Sequence, residues 1–293
     1  MKTHSSIGGL LLMLAAVGTV LAAEQPQFKF TPINVPGAAF TDAQGINDRG
    51  EIVGSYDLGP RGHFGFMLRK GVYTGFSAPG ASVTVARSIN NDGDVVGLFF
   101  DAAEAEHGFL KSEGKFAVID FPGATGTEAL GINDSGDIVG DYFDAAGFAH
   151  GFLLDDDGFK TLDFPGAADT TPTAINERGS IVGVWDTATT FDGFILKKKN
   201  FATVDFPTAV GATSVNGISN RGQLVGIYSD AIGQHGFVSR GHDFIAFDVP
   251  GGVPGRMIAI GINDAGQVVG LYRDAALGHR AGFLATPVRH EAE

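Results

Sequence analysis

The chain has 293 residues, enough for one large or two ordinary domains, and it contains no Cys, which excludes disulfides, Cys-ligated zinc and thiol nucleophiles. Its formal charge of −13 comes from acids spread along the sequence, which disfavours nucleic acid as a partner and describes a solvated acidic surface. Gly is abundant at 44 residues without a collagen triplet, so it serves turns and close backbone approaches.

The first element is an apolar run, Ile7 to Val20, behind the lone positive charge of Lys2. It ends in "VLAAEQPQ", small residues before a polar, Pro-bearing start. Residues 1–23 therefore read as a secretory signal peptide cut after Ala22 or Ala23. An uncleaved anchor is the alternative, but the run is short for a span and lacks a basic stop-transfer flank. No Cys stands at the cleavage site, so a lipoprotein anchor is excluded. The expectation is a secreted or periplasmic protein with no membrane span after cleavage. Removing Lys2 and no acid leaves 19 basic and 33 acidic residues, a charge of −14.

The mature chain opens on a strand-like segment, "FKFTPINVPG", Phe28 to Gly37, and then repeats itself. A Gly that follows Val falls at Gly54, Gly97, Gly140, Gly183, Gly226 and Gly270, in steps of 43, 43, 43, 43 and 44. A Pro keeps the same beat at Pro36, Pro79, Pro122, Pro165, Pro207 and Pro250. Within one copy, "EALGIN" stops at "NDSG", where Asn and Asp cap a turn and Gly accepts positive φ. Asn recurs at Asn47, Asn90, Asn133, Asn176 and Asn263, with Ser219 in the remaining copy. "DIVGDYFD" returns as a second strand; a variable loop, "AAGFA" in this copy, leads to "HGFLLDD", and a tight turn leads to "FKTLDFPG".

Four short strands per repeat of about 43 residues predict a six-bladed β-propeller over residues 24–287, followed by a polar tail, 288–293. The chain starts with a fourth-strand copy and ends after a third-strand copy, so the N-terminal strand is expected to close the last blade. A β-solenoid is the alternative architecture, and it has no use for a displaced terminal strand.

The block "GINDSGDIVGDYFDAAGFAHGFL", preceded by "IDFPGA", resembles the HAF repeat of bacterial extracellular proteins over about the whole mature chain. The signature stands as "HGF" at His107–Phe109, His150–Phe152 and His235–Phe237, and is degenerate at Phe64–Phe66, Asp192–Phe194 and Ala281–Phe283. The resemblance implies export and no established activity, so it assigns no catalytic residue.

There is no P-loop, no G-x-S-x-G elbow and no H-E-x-x-H helix. "NDSGD" lacks EF-hand spacing and reads as a turn. The best polar constellation is an Asp–His pair across the second-to-third-strand loop: Asp101/His107, Asp144/His150 and Asp230/His235. Such a pair can orient imidazole for general base work, but one that recurs with the blades reads first as a latch. The aromatics at one repeat position, Trp185 among them, could stack on sugar and read first as packing between blades.

The longer, varied connections share one face, which is the expected binding face, with Asp101, His107, Asp144, His150, Trp185, Asp230 and His235 as candidates. The expected function is a monomeric binding or scaffold module for a polysaccharide or an extracellular protein. No cofactor and no metal are called for, and an ion held by main-chain oxygens in a central channel is left open. The rival class is a propeller glycoside hydrolase or lyase, which needs converging carboxylates; Glu104, Glu106 and Asp169 break the repeat and are its candidates.

Overall fold

Asn133 shows why each repeat begins as a hairpin. Its Oδ1 accepts the Asp137 N–H at 2.9 Å, its own N–H donates to the Asp137 carbonyl, and Gly136 between them sits at φ +86°. Ser219, in the same place, accepts a longer bond of 3.2 Å from the Gln223 N–H. The computed structural model describes residues 28–240 and 243–288, so the expected signal peptide and residues 289–293 of the tail lie outside the described residues.

The strand before each turn carries a β-bulge. Between Gly126–Ile132 and Ile138–Phe143 the register slips at Ala129/Gly131, which leaves Leu130 as an extra residue. Gly140 is the reason that two backbones can meet there, since a Cβ on it would lie 1.9 Å from the Glu128 carbonyl oxygen. This accounts for the Val-Gly beat of the sequence. The same slip occurs in the other copies, and the extra residues Gln44, Arg87, Leu130, Thr173, Asn216 and Ile260 all line the central cavity.

The third strand of each copy supplies the core. Phe66, Phe109, Phe152, Phe194, Phe237 and Phe283 are fully buried, each worth about 1.5–3 kcal/mol of burial. The second-strand Val of one copy packs into the next: Val96 joins Ile132 and Phe152, and Val139 joins Ile175 and Phe194.

Among the described residues, 24 strands form five hydrogen-bonded sheets, not six separate blades, and the six-bladed expectation is corrected accordingly. Four sheets are separate four-stranded blades. Three of these run from Gly126–Ile132 to Gly158–Thr161, from Asp169–Ile175 to Asn200–Val204 and from Thr213–Ile218 to Asp243–Phe247. The fourth combines Gly252–Ile262, Val268–Asp274 and Arg280–Pro287 with the N-terminal strand Phe28–Ile33. The remaining eight strands, between Phe40 and Ile119, are one continuous sheet, because His63 makes a parallel bridge to Val83. A side-chain period runs unchanged through this double sheet and carries no information about a backbone bridge between adjoining copies. The bridge directly follows the 3₁₀ turn Gly59–Arg61.

The terminal strand pairs antiparallel with Arg280–Pro287, from Phe28↔Pro287 to Ile33↔Gly282. Phe28 packs on Phe247 at 5.1 Å, and Ile33 joins Ala43, Ile46 and Phe66 in the core of the following sheet. Deleting residues 24–33 uncovers both sides and leaves an unpaired edge. Burial of Phe28 and Ile33 alone is worth about 4 kcal/mol, so thermal unfolding should fall by roughly 10 °C. A truncated chain that melts with the parent would show that this strand does not hold the assembly closed.

Candidate functional site

The inner strands enclose a central cavity of about 390 Å³. At its hairpin end the copies are laced together. Asn47 Nδ2 donates to the Asn90 carbonyl at 3.0 Å, Asn90 to Asn133, Asn176 to Ser219, and Asn263 to Asn47. A second ring lies outside it: Asp48 N–H donates to Asn91, Asn91 to Asp134, Asp134 to Glu177, Glu177 to Asn220, Arg221 to Asp264, and Asp264 to Asp48. The carboxylates of this mouth are thus engaged in holding neighbouring turns.

The other end of the cavity differs from copy to copy. Glu128 starts an inner strand, lines the cavity and faces Asp141 across the sheet. Glu106, from the preceding double sheet, lies within hydrogen-bonding reach of Glu128. Arg87 Nη2 is 3.6 Å from Glu128 Oε2, and the Thr171 hydroxyl donates to Asp141 Oδ2 at 2.8 Å. Asp141 is 5% exposed, and its Oδ1 has no partner.

Electrostatics follow from this crowding. Burial, the Glu128 hydrogen bond and the nearby charges of Glu128 and Asp141 push Glu106 up to about 8. Burial first, then the Glu128 charge, pushes Asp141 up to about 7, against the opposing effects of Thr171 and Arg87. Where the ring closes, the same slot holds an ion pair: Arg280 stands where Glu106 does, and its Nη2 is 3.1 Å from Asp42 Oδ2, although burial still pushes Asp42 upward against it. The chain therefore places a carboxyl pair at one junction where it places opposite charges at another.

The three Asp–His pairs take their places on the loop face, but the expected Asp is the more distant partner in each. His107 Nε2 is 3.8 Å from Asp101, while its Nδ1 is 3.0 Å from Asp120. His150 stands 3.7 Å from Asp144 and 3.0 Å from Asp163. His235 is held at 3.1 Å by Asp230 and at 2.9 Å by Asp248. Burial works to lower the pKa of His235, but hydrogen bonds and charges from Asp248 and Asp230 outweigh it, and the net shift is upward. Asp120, Asp163 and Asp248 escaped sequence reasoning, although each follows its His by 13 residues in a "DFPG"-like string. Each imidazole is clasped between two carboxylates, which is latch geometry.

Trp185 stacks on Phe164 with ring centroids 4.3 Å apart and planes within 4°, as Tyr142 does on Phe121 and Tyr228 on Phe206. These stacks tie consecutive copies together, and Trp185 is half-buried. Of the carboxylates that break the repeat, Glu104 is exposed on its loop, and Asp169 accepts the Ala149 N–H. Asp169 also meets the Asp186 carboxyl across its sheet, and Glu106 meets Glu128, which lines the cavity. Its partners Glu128, Asp141, Arg87 and Thr171 were missed; the available signal was that Glu128 replaces Asp42, Val85, Thr171, Ser214 and Ile258 of the other copies, and that Asp141 stands where they have Ser55, Leu98, Val184, Ile227 and Leu271.

No family model matches the chain, and no curated protein matches it. Solved structures share its fold. TolB from Acinetobacter baumannii aligns with a TM-score of 0.58 at 10% identity, over 81% of this chain and 64% of that one. The chain thus spans a little under two thirds of that TolB chain. A gluconolactonase candidate aligns with a TM-score of 0.52 at 10% identity, over 91% and 96%. A mutant of the Aleuria aurantia lectin, in complex with α-methyl-L-fucoside, aligns with 0.50 at 11% identity, over 89% and 99%. At these identities the likeness is one of β-propeller fold alone.

The latch position yields a direct test at its variant copy. Asp192 occupies the His position and meets Asp205, which stands where Asp120, Asp163 and Asp248 do in their copies; burial first, then the Asp205 charge, pushes Asp192 up to about 6. A carboxyl whose folded pKa is raised destabilises the fold above that pKa, and the penalty fades as pH falls toward its unfolded value. Asp192→Asn should therefore raise the melting temperature at pH 7.5 by about 2–4 °C, near 1 kcal/mol after solvent screening, and by less at pH 4.5. An equal gain at both pH values, or a loss at pH 7.5, would contradict this account of the pair.

Proposed function

We propose that this chain is an exported, monomeric binding module whose ligand, a sugar or the end of a polysaccharide, enters the central cavity from the variable-loop face. The observation that carries this reading is the division of the cavity. One end is ringed by the repeated turn ladder, whose polar groups hold neighbouring turns, and the other gathers Glu128, Arg87 and Thr171, residues that the repeat does not require. The volume of about 390 Å³ suits a hexose-sized group with its first neighbours. Apolar walls from Leu130, Ile258 and Ile260 beside a few convergent polar groups are the usual composition of such a site. The solved lectin complex with α-methyl-L-fucoside is compatible with this reading through its fold and adds no residue to it.

The rival reading, a glycoside hydrolase, draws on the converging carboxyls. Their spacing weighs against it: Glu106 and Glu128 are within hydrogen-bonding reach, whereas retaining and inverting enzymes separate the pair by about 5–5.5 and 6.5–9.5 Å to admit the sugar or a water. A carboxyl pair this close leaves no room between its members for either.

Titration calorimetry with a panel of mono- and oligosaccharides, alongside a glycan array, tests the proposal. Leu130→Trp fills the cavity from its bulge position and should weaken binding at least about tenfold with the fold retained. Unchanged affinity in that variant would remove the cavity from the binding site. Turnover of a sugar substrate by the pure protein would favour the rival class.

A further inference from the structure

We infer that the cavity reads an acetamido group, so that its ligand is an N-acetylated amino sugar, held by the side-chain amide of Gln44 and the guanidinium of Arg87. The inference rests on the cavity being the sugar site. Gln44 is the observation that carries it. It is 7% exposed, it lines the cavity from the bulge that turns one residue per copy inward, and its amide has no hydrogen-bond partner among the described residues. A buried amide left without partners costs stability, and a ligand that supplies them recovers that cost.

The polar groups of the lumen divide into engaged and free. The Thr173 hydroxyl is taken up by the Val182 and Val215 carbonyls, at 3.2 and 3.0 Å. Asn216 donates to the Ala259 carbonyl at 2.8 Å and accepts from the Ser214 hydroxyl at 2.6 Å. Thr171 donates to Asp141. Arg87 is different: its Nη2 stands 3.6 Å from Glu128, beyond hydrogen-bond length, and its side chain keeps 32% of its surface open. Gln44 and Arg87 belong to adjoining copies whose backbones touch there, since a Cβ on Gly45 would lie 2.9 Å from the Arg87 carbonyl oxygen. The copy on the other side of Gln44 brings Ile258 and Ile260 to the cavity, and a Cβ on its Gly261 would lie 3.0 Å from the Gln44 carbonyl oxygen. Around this part of the wall the order is therefore apolar, amide, guanidinium.

Such a wall selects a group that accepts twice, donates once and ends in a methyl. Gln44 offers two donors and an acceptor, and Arg87 offers donors alone. An acetamido carbonyl accepts from both, its N–H donates to Gln44 Oε1, and its methyl lies on the isoleucine side. A sugar hydroxyl brings a single donor and no apolar end. An ammonium has nothing to accept with. A carboxylate would meet Glu128 and Asp42, whose charges already act on the same guanidinium.

Titration calorimetry at pH 7 with N-acetylglucosamine, glucosamine and glucose tests this. N-Acetylglucosamine should bind about tenfold tighter than either of the other two. Gln44→Leu puts at this bulge the residue type of Leu130, and Gln44→Thr that of Thr173, so both variants match a copy that the ring already accommodates; thermal melting checks that they fold. Each should cut the preference to about twofold or less while glucose binding stays in place. Equal affinities for the three sugars, or a preference for glucosamine, would overturn the inference, and the cavity reading would still stand where Leu130→Trp weakens all three. A preference that survives in both Gln44 variants would overturn it as well, because the amide would not be the group that reads the ligand. No binding of any sugar would contradict the inference and the cavity reading together.

Discussion

The structure depends on one hydrogen bond made repeatedly: an Asn side chain at the tip of a hairpin donates to the main chain of the next copy's turn. Its most consequential instance joins Asn263 to Asn47, residues 216 apart in the chain. A four-stranded sheet of this size exposes two apolar faces and is not stable alone. Closing the ring covers both faces of every copy, and the amide ladder fixes the height at which neighbours meet. A second ring at the same mouth runs the other way, main-chain N–H groups donating to the side-chain oxygens of Asp48, Asn91, Asp134, Glu177, Asn220 and Asp264. The acids of this rim therefore belong to the fold.

With one end fixed, the rest follows along each inner strand. The bulge admitted by the Val-Gly contact turns one residue per copy into the lumen, and those residues are under no common constraint: Gln44, Arg87, Leu130, Thr173, Asn216 and Ile260 share neither charge nor size. Beyond the bulge the junctions diverge further. Arg280 pairs with Asp42, while Glu106 meets Glu128, which Arg87 faces at 3.6 Å, and burial with the neighbouring carboxyls pushes Glu106 upward. A buried charge conflict of this kind costs stability.

Much of this was legible in the residues. The period, the Asn turns and the buried Phe of each "xGF" string follow from spacing, turn chemistry and hydrophobic pattern, and the N-terminal strand could be counted into place. The double sheet was not legible, because the bridge between His63 and Val83 is a main-chain contact that leaves no mark on the side-chain pattern. The nearer latch partners Asp120, Asp163 and Asp248 were hidden by attention to loop ends, when the closing carboxylate comes from the end of the fourth strand. Glu106 was visible as a break in the repeat. Glu128 and Asp141 lie inside regular strands, where a carboxylate reads as a solvated face until the neighbouring sheet is known.

The central claim is that repetition builds the ring and departures from it build the site. A crystal structure of the protein with the sugar that titration identifies tests this most directly. The account predicts the sugar inside the cavity at its loop-face end, beside Glu128, Arg87 and Thr171. A sugar bound instead at the Asp48–Asp134 mouth, or on the outer loops beside His107 or Trp185, would contradict it.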